Sequence, residues 1–284
     1  MGEINTKFVE HEYDYVKPAS LDEALDILAE KENVKIYAGG TDLMVEHRRD
    51  VKFLFLNRVP ELKRIVTDEE YIRIGAAVTF TEALSDPAVP KLIKEAVSHI
   101  AAPAIRNAGT FGGNLGNGSA KADSVVAEFA ADAKVRLVSK SGERIVDVDR
   151  FTLGRKKLDL RSDELIAEVL LPKVGLDRYY YEKVGGRNAL AVSRVSFAGV
   201  FDSRDGRITN VAAAFGAVAD TVLRYEEAEA MLIGKTLEEA KALKADFLRT
   251  YSDRLLLTQG RVSAEYRRDV CMNLLDALLT KFGI

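Results

Sequence analysis

The amino-acid sequence predicts an α+β fold, and three features of the 284-residue chain support this prediction. Short apolar segments of strand length are interspersed with amphipathic helical segments in the first half of the chain. In the second half, strands come first and helices follow, which is typical of an α+β domain rather than of alternating βα units. Two glycine-rich stretches interrupt the first half, and both follow apolar segments.

The first half of the chain reads as a series of short elements. Ser20 and Glu23 have the spacing of a capping box, which predicts a helix start with Leu21, Ala24, Leu25 and Leu28 on its apolar face. The Val59–Pro60 pair predicts a boundary between two lobes. Apolar periodicity predicts strands over 34–37, 53–57, 71–77, 135–138 and 165–171, and helices over 81–84, 90–100 and 124–133.

The pattern of apolar and polar residues changes after Pro172. Apolar segments predict three strands of an antiparallel sheet, and the Asp205–Gly206 pair is a strong hairpin signal between the second and the third. Amphipathic helices complete this half. The predicted strands cover 179–181, 191–201 and 208–219, and the predicted helices cover 221–234, 236–251 and 263–282.

Charge and apolar patterning exclude several classes of protein. With 41 basic and 44 acidic side chains the net charge is −3, and no basic run with interleaved aromatics occurs, so we expect no nucleic-acid partner. The N-terminus has no apolar segment of signal-peptide length. The longest small-apolar run, 211–219, is about half as long as a membrane span requires. We therefore expect a cytoplasmic protein with no membrane span.

Cys271 is the single cysteine of the chain. One thiol excludes an internal disulfide and a cysteine-based zinc site, and an iron–sulfur cluster needs about four thiolates. Because Cys271 lies in a helical apolar stripe, we expect it to be a buried packing residue rather than a nucleophile. The sequence shows no catalytic triad and no metal motif, so we assign no catalytic and no metal-binding residue.

The two glycine-rich stretches are the candidate functional loops. The first is Ala38-Gly39-Gly40-Thr41-Asp42, after a predicted strand, and the second is 105–123, with five glycines and three asparagines. Glycine is unfavourable inside regular elements by about 1 kcal/mol relative to alanine, so we expect irregular backbone here. Such backbone can point several N–H groups at a phosphate, and two loops would suit the two ends of a diphosphate. Without Cβ atoms, the glycines are expected to leave room for that diphosphate.

At these stretches the chain resembles the FAD-binding medium subunits of the molybdenum hydroxylases, the family of the xanthine, carbon monoxide and nicotinate dehydrogenases. The resemblance covers essentially the whole chain. It rests on AGGTDL at 38–43, on IRNAGTFGGNLGN at 105–117 followed by Ser119 and an alanine–aspartate pair at 122–123, and on YEKVGGRNALAVSRVS at 181–196.

The resemblance implies a two-lobed FAD-binding fold of the vanillyl-alcohol-oxidase/p-cresol-methylhydroxylase type. A C-terminal lobe with a three-stranded antiparallel sheet and a helical bundle would complete the chain. We accordingly expect an FAD-binding domain over 1–174, with lobes of about 1–59 and 60–174, and an α+β domain over 175–284.

The resemblance also implies roles for individual residues. Asp123 matches a family position at which a carboxylate lies near the hydroxyl-bearing chain of FAD. On sequence grounds alone, Asp123 could equally cap the following helix. Ile100 matches a family position beside the isoalloxazine, and Ile166 matches an apolar residue at the adenine end. Lys183 matches a basic residue that reaches the cofactor. Arg187 and Arg194 match basic positions on the open side of the flavin. The remaining expected cofactor-binding residues are Ile36, Ala38, Gly39, Gly40, Thr41, Asp42 and Leu43 in and beside the first loop, and Thr110, Gly112, Gly113 and Asn114 in the second.

The chain departs from the common family pattern at three positions. Phe111 replaces a small aliphatic residue, Lys121 a small residue, and Ile100 an aromatic one. These departures leave FAD binding intact and leave the electron acceptor open.

The function implied is that of an FAD-carrying electron-transfer subunit. Molybdopterin would reside on a large partner subunit and [2Fe-2S] clusters on a small one, in a heterotrimer or its dimer, with NAD+ or another compound as acceptor. Two alternatives stay open: a stand-alone flavin oxidoreductase of the same superfold, and a non-catalytic nucleotide-binding module. Purified protein that lacks the yellow flavin spectrum even after addition of FAD would favour the last of these.

Overall fold

The computed structural model describes residues 14–30, 33–46, 51–260 and 262–284. The first thirteen residues of the expected FAD-binding domain therefore lie outside the described residues. Within the described ranges, no helix is both long and apolar enough to cross a membrane.

A small parallel sheet and one helix form the N-terminal layer. Strand β3 lies in the centre and pairs in parallel with β1 and β2. The predicted helix start is confirmed: the Ser20 hydroxyl accepts from the Glu23 N–H at 3.2 Å, and the Glu23 carboxylate accepts from the Ala19 N–H. The elements are β1 (Tyr15–Val16), α1 (Leu21–Glu30), β2 (Val34–Tyr37), a 3-10 helix (Leu43–Glu46) and β3 (Lys52–Phe55).

The next part of the chain forms a five-stranded antiparallel sheet and the helices that cover it. A 3-10 helix (Pro60–Lys63) leads into this part. Its elements are β4 (Ile65–Thr67), β5 (Tyr71–Gly75), α2 (Phe80–Ser85), α3 (Lys91–Ser98), α4 (Pro103–Arg106), α5 (Phe111–Gly116), α6 (Asp123–Ala130), β6 (Lys134–Ser139), β7 (Gly142–Asp147), α7 (Val148–Phe151), β8 (Thr152–Gly154), β9 (Lys157–Leu158) and β10 (Leu165–Pro172). The strand order is β4-β5-β10-β6-β7, and β8 and β9 pair separately.

The second glycine-rich stretch is more regular than its composition predicts. The prediction of irregular backbone is wrong for 111–116, which forms α5. The Thr110 hydroxyl accepts a hydrogen bond from the Gly113 N–H at 3.0 Å and so caps this helix. The Phe111 ring is fully buried and packs edge-on against Phe80, with ring centroids 5.3 Å apart. A cap and tertiary packing thus offset the poor helix propensity of glycine.

The C-terminal part contains a three-stranded antiparallel sheet and three helices. The elements are β11 (Tyr179–Val184), β12 (Val195–Arg204), β13 (Arg207–Gly216), α8 (Glu226–Glu229), α9 (Leu237–Arg254) and α10 (Ala264–Lys281). The predicted hairpin is confirmed, since Asp205 and Gly206 have φ values of 51° and 77°, as in a type I′ turn. Cys271 is fully buried, and burial raises the pKa of its thiol to about 12, which is consistent with a packing residue.

The helix predicted over 221–234 is wrong except for the short helix α8. The backbone of Leu223 forms an antiparallel bridge with Phe215, with N–H to carbonyl distances of 2.9 and 2.8 Å. This pairing keeps the chain extended just before α8. Tertiary pairing has overridden the helical periodicity of the segment.

Helix α6 occupies the centre of the molecule, and every one of its residues is buried. It packs against β12 and β13 on one side and against α3 and α5 on the other. The opposite face of the C-terminal sheet is covered by α9 and α10, where Phe197, Phe215 and Phe247 lie in one apolar cluster. The predicted α+β architecture, with a C-terminal part of a three-stranded sheet and helices, is confirmed.

Candidate functional site

A cleft of about 610 Å³ lies between the loop that follows β2 and the N-terminal half of α5. This volume is in the range of cofactor sites in proteins. Twelve of the fifteen residues expected to bind the cofactor line it. They are Ile36, Ala38, Gly39, Gly40, Thr41, Asp42, Leu43, Thr110, Gly112, Gly113, Asn114 and Ile166.

The loop after β2 presents free hydrogen-bond donors to the cleft. In the part of the chain that the structure describes, the backbone N–H groups of residues 39–42 donate to no acceptor. The neighbouring carbonyls are occupied, since Gly40 accepts from Met44 at 2.9 Å and Asp42 accepts from Val45 at 3.1 Å. Gly40 has a φ of 70°, a left-handed conformation that glycine adopts without a steric penalty. Successive free N–H groups around a left-handed residue form a concave anion-binding nest.

Glycines of the two loops allow close packing against other parts of the chain. A Cβ on Gly39 would lie 1.8 Å from the carbonyl oxygen of Ala108, and one on Gly112 would lie 2.4 Å from the Cβ of Ala76. At these two positions the space is therefore taken by the facing backbone and side chain rather than left open for a diphosphate. Glycine is required at position 39 for contact between the two loops and at position 112 for contact of α5 with the residue that follows β5, which corrects the role that the sequence suggests for them.

The second loop has fewer free N–H groups than the first. The Phe111 N–H donates to the Val78 carbonyl at 3.2 Å, and the Gly112 N–H donates to the Ala76 carbonyl at 2.9 Å. The Gly113 N–H is occupied by the Thr110 hydroxyl. What this loop offers the cleft is therefore chiefly polar side chains, those of Thr110 and Asn114.

Three expected residues, Ile100, Asp123 and Lys183, do not line the cleft but lie close to one another. The Lys183 ammonium donates to an Asp123 carboxylate oxygen at 2.7 Å and to the His99 carbonyl at 2.7 Å. The other Asp123 oxygen accepts from the Ser193 hydroxyl at 2.6 Å. Asp123 makes no capping hydrogen bond to α6, where Ala122 is the N-cap residue. The capping alternative for Asp123 is therefore wrong, and Lys183 is not a solvated strand-end lysine.

The segment around Ile100 is held by a second cation. The Arg106 guanidinium donates to the carbonyls of Ile100 and Ala101 at 2.7 and 2.9 Å, and Ala101 adopts a left-handed φ of 41°. Non-glycine residues in this region are strained, and surrounding contacts must hold them there. Arg106 and Lys183 together fix residues 99–101.

One hydrogen bond links the cleft to the residue next to Asp123, which is itself bonded to Lys183 and Ser193. The Asn114 amide, which lines the cleft, donates to the hydroxyl of Ser124 at 2.9 Å. Ser124 is the residue after Asp123 and is fully buried. The cleft and the Asp123–Lys183 pair are thus neighbouring parts of one polar path along α5 and α6.

Glu128 lies one helical turn beyond Ser124 and is fully buried. Neither of its carboxylate oxygens has a hydrogen-bond partner among the described residues. Burial raises the pKa of this carboxyl to about 8. Between the ordinary pKa of 4.5 and about 8, the folded protein keeps a proton that the unfolded chain would release. Glu128 therefore destabilises the fold increasingly as the pH rises through this window, and not below it.

A Glu128→Gln variant is expected to be more stable than the original protein at high pH only. The gain in unfolding free energy should be near zero below about pH 4 and at least about 2 kcal/mol by the upper end of the window, because one pKa unit corresponds to about 1.4 kcal/mol. Chemical denaturation across this pH range measures it. Glu69→Gln, at an exposed position, is the matched control. A gain that does not change with pH would contradict the assignment of a protonated Glu128.

Several cleft residues were missed in the sequence. Lys156, Arg161 and Glu164 come from the segment between α7 and β10, and Asn117 from the end of α5. Asn117 lies inside the second glycine-rich stretch, so the glycine and asparagine content of that stretch indicated the region but not this residue. The others sit among charged residues with no distinguishing pattern. Glu164 is nearly buried, and its hydrogen bonds to the Arg144 guanidinium lower the pKa of its carboxyl.

Comparison with known proteins supplies the family. The model described as the FAD-binding domain in molybdopterin dehydrogenase matches residues 10–174, and the model of the CO dehydrogenase flavoprotein C-terminal domain matches residues 179–282. The chain belongs to this family of FAD-binding oxidoreductase subunits. FAD is accordingly its cofactor, and the family predicted from the two glycine-rich stretches and the motif at 181–196 is confirmed.

Individual relatives agree with the family over nearly their whole length. The chain is 30% identical over 268 residues to the xanthine dehydrogenase FAD-binding subunit of Escherichia coli O157:H7, covering 89% of this chain and 90% of that one. It is 30% identical over 278 residues to the nicotine 6-hydroxylase medium subunit of Paenarthrobacter nicotinovorans, covering 95% and 96%. Among solved structures, a carbon monoxide dehydrogenase from Hydrogenophaga pseudoflava matches with a TM-score of 0.85 and 27% identity over 95% of this chain and 98% of the matched chain.

A second pocket of this FAD-binding subunit has the same volume, about 610 Å³, but a different character. Three arginines line it, Arg150, Arg224 and Arg254, together with five carboxylates: Asp132, Asp147, Asp149, Glu226 and Glu227. Arg224 is already paired with Asp132 and with Glu229. Acidic groups outnumber basic ones here, so a diphosphate would be repelled, and the cleft between the two loops fits FAD better.

Proposed function

We propose that this chain is the FAD-carrying electron-transfer subunit of a multi-subunit molybdenum hydroxylase. FAD, when bound, would take electrons from iron–sulfur clusters on a small partner chain, fed by a molybdenum centre on a large one, and pass them to NAD+ or another acceptor. The printed names of the relatives, which include subunits of xanthine dehydrogenase and nicotine 6-hydroxylase, support this proposal. The observation that carries it is the set of free N–H groups at 39–42 in a cofactor-sized cleft.

In this proposal, residues 39–42 hold the diphosphate. Two negative phosphate groups need several donors, and N–H groups already oriented in a nest supply them without reorganisation. The Thr110 hydroxyl and the Asn114 amide face the same space from the second loop. The two loops are in direct contact through Gly39 and the Ala108 carbonyl, so a diphosphate bound between them would touch both.

The two ends of the cofactor would meet different surroundings. Ile36, Leu43 and Ile166 contribute apolar lining to the cleft, which suits the adenine ring. Asn114, which also lines the cleft, leads through Ser124 to Asp123. We propose that the flavin ring lies on this side, near Ile100, and that Lys183 and Asp123 act as positioning residues that fix the backbone of 99–101. The domain boundary near residue 174 is likewise a proposal, supported by the gap between the two family models.

The test is the flavin content of the purified protein. We expect the chain, produced alone and incubated with FAD, to retain an equimolar amount after gel filtration and to show a flavin absorption spectrum. Produced together with candidate partner chains, it should copurify with a molybdenum-containing and an iron–sulfur subunit and be reduced by the substrate of that complex. A colourless protein that does not retain FAD would contradict the proposal. A protein that retains FAD but copurifies with none of the candidate partner chains would favour a stand-alone flavin oxidoreductase.

A further inference from the structure

Three polar side chains from separate parts of the chain form a continuous bridge at the cleft. The Asn117 amide nitrogen donates to a carboxylate oxygen of Asp42 at 2.6 Å, and the Asn117 amide oxygen accepts from the Lys156 ammonium. Asp42 belongs to the first loop, Asn117 follows α5, and Lys156 lies in the turn between β8 and β9. All three residues line the cleft.

The chemistry of the bridge fixes the role of each member. A carboxylate only accepts hydrogen bonds and an ammonium only donates them, so the residue between them must donate on one side and accept on the other. A neutral amide does both. Because the neighbours are unambiguous, they also determine the orientation of the Asn117 amide.

Backbone contacts hold Lys156 in place for this role. Its N–H donates to the Gly118 carbonyl at 2.8 Å, and Lys156 itself adopts a left-handed φ of 58°. Gly118 also has a left-handed φ of 58°, and a Cβ there would lie 3.0 Å from the Cα of Lys156. The turn is thus packed directly onto the end of α5, and the lysine side chain extends back towards Asn117.

We propose that the Asp42–Asn117–Lys156 bridge retains FAD by holding the first loop against the second loop. This inference rests on the proposed placement of the diphosphate between the loops. The Asp42 carboxylate lies on the loop whose N–H groups would bind a dianion, and an unpaired carboxylate there would repel it. The bridge ties that carboxylate to a cation and connects the first loop to two elements of the five-stranded part of the chain. All three side chains are positioning residues whose loss should act on the release of FAD.

An exchange of the amide and the acid tests the bridge. Asn117→Asp places a second carboxylate against Asp42 and should increase the rate of FAD dissociation about tenfold or more, since hydrogen bonds to charged groups are the stronger ones. Adding Asp42→Asn to this variant should return the rate close to the original. In the double variant the new amide at position 42 can donate to the new carboxylate at position 117, which still accepts from the Lys156 ammonium.

Removal of the cation is a second, independent test of the bridge. Lys156→Met should also accelerate FAD release, because the bridge then loses the donor at its end. Lys157→Met is the matched control, since it removes the same charge from a neighbouring residue that does not line the cleft. This control variant should release FAD at the original rate.

The readout is the recovery of flavin fluorescence or the change in flavin absorbance on dilution, with circular dichroism of the FAD-free variants to check folding. If the original protein binds no FAD, the proposed function fails. If it binds FAD and Asn117→Asp and Lys156→Met release it at the original rate, the bridge proposal alone is wrong. An Asn117→Asp variant that is impaired but not rescued by Asp42→Asn would also contradict it.

Discussion

A Gly40→Val variant is expected to lose FAD while the chain stays folded. Valine is strongly disfavoured at the φ of 70° found here, and its Cβ would lie 2.2 Å from the ring of Tyr37. The Tyr37 ring is stacked on the Phe55 ring, with the ring centroids 4.1 Å apart. Because this stacking holds the Tyr37 ring, the loop must move instead. The N–H groups of 39–42 would then lose their common orientation. We expect FAD affinity to fall about a hundredfold or more, or about 2.7 kcal/mol.

The matched control is Gly175→Val. Gly175 has a φ of 84° but no heavy atom within 4 Å of the Cβ position, and it does not line the cleft. The same substitution therefore imposes a similar backbone strain away from the site. FAD titration followed by flavin fluorescence, together with thermal unfolding of both FAD-free variants, measures the difference. Full FAD occupancy in Gly40→Val would show that residues 39–42 do not hold the cofactor.

A Lys183→Met variant is expected to be markedly less stable even without FAD. The Lys183 and Asp123 side chains are 9% and 6% exposed and lie 2.7 Å apart. Removing one partner of a buried ion pair leaves an uncompensated charge and typically costs about 3–5 kcal/mol. We expect a loss near the lower end, about 3 kcal/mol, because Ser193 still donates to the Asp123 carboxylate. Denaturant unfolding of the FAD-free protein measures it.

Two further variants separate lost charge compensation from lost packing. Asp123→Asn in the Lys183→Met background removes the unpaired charge and should recover a large part of the stability. Lys91→Met, at an exposed position on α3, should leave unfolding unchanged. If Lys183→Met unfolds at the same denaturant concentration as the original protein, the ion pair does not hold residues 99–101 in the way we propose.

Local sequence patterns predicted the parts of the fold that depend on neighbouring residues. The hairpin at Asp205–Gly206 follows from two adjacent residues that tolerate left-handed φ, and α9 from the amphipathic pattern over 236–251. Strand β7, by contrast, was missed because it is an edge strand with no buried residue and little apolar alternation. The helix predicted over 221–234 failed because Leu223 pairs with Phe215, a contact that periodicity cannot show.

The candidate site likewise has parts that local sequence patterns predict and parts that they do not. Composition and family motifs located both loops, since glycine and asparagine cluster within the second and glycines within the first. The contacts that organise them are distant in sequence: Asp42 meets Asn117 across 75 residues, and Asp123 meets Lys183 across 60. No local pattern indicates that Gly39 packs against protein atoms. Only the folded chain shows that this glycine joins the loops, while the free N–H groups beside it face the cleft.

A crystal structure of the protein with bound FAD most directly tests the proposal that residues 39–42 bind the diphosphate. We expect the diphosphate oxygens to lie within hydrogen-bond distance of the N–H groups of residues 39–42, with the adenine towards Ile166 and the flavin towards Ile100. A diphosphate bound elsewhere, for example between Arg150, Arg224 and Arg254 in the second pocket, with residues 39–42 making no contact to it, would contradict the proposed site.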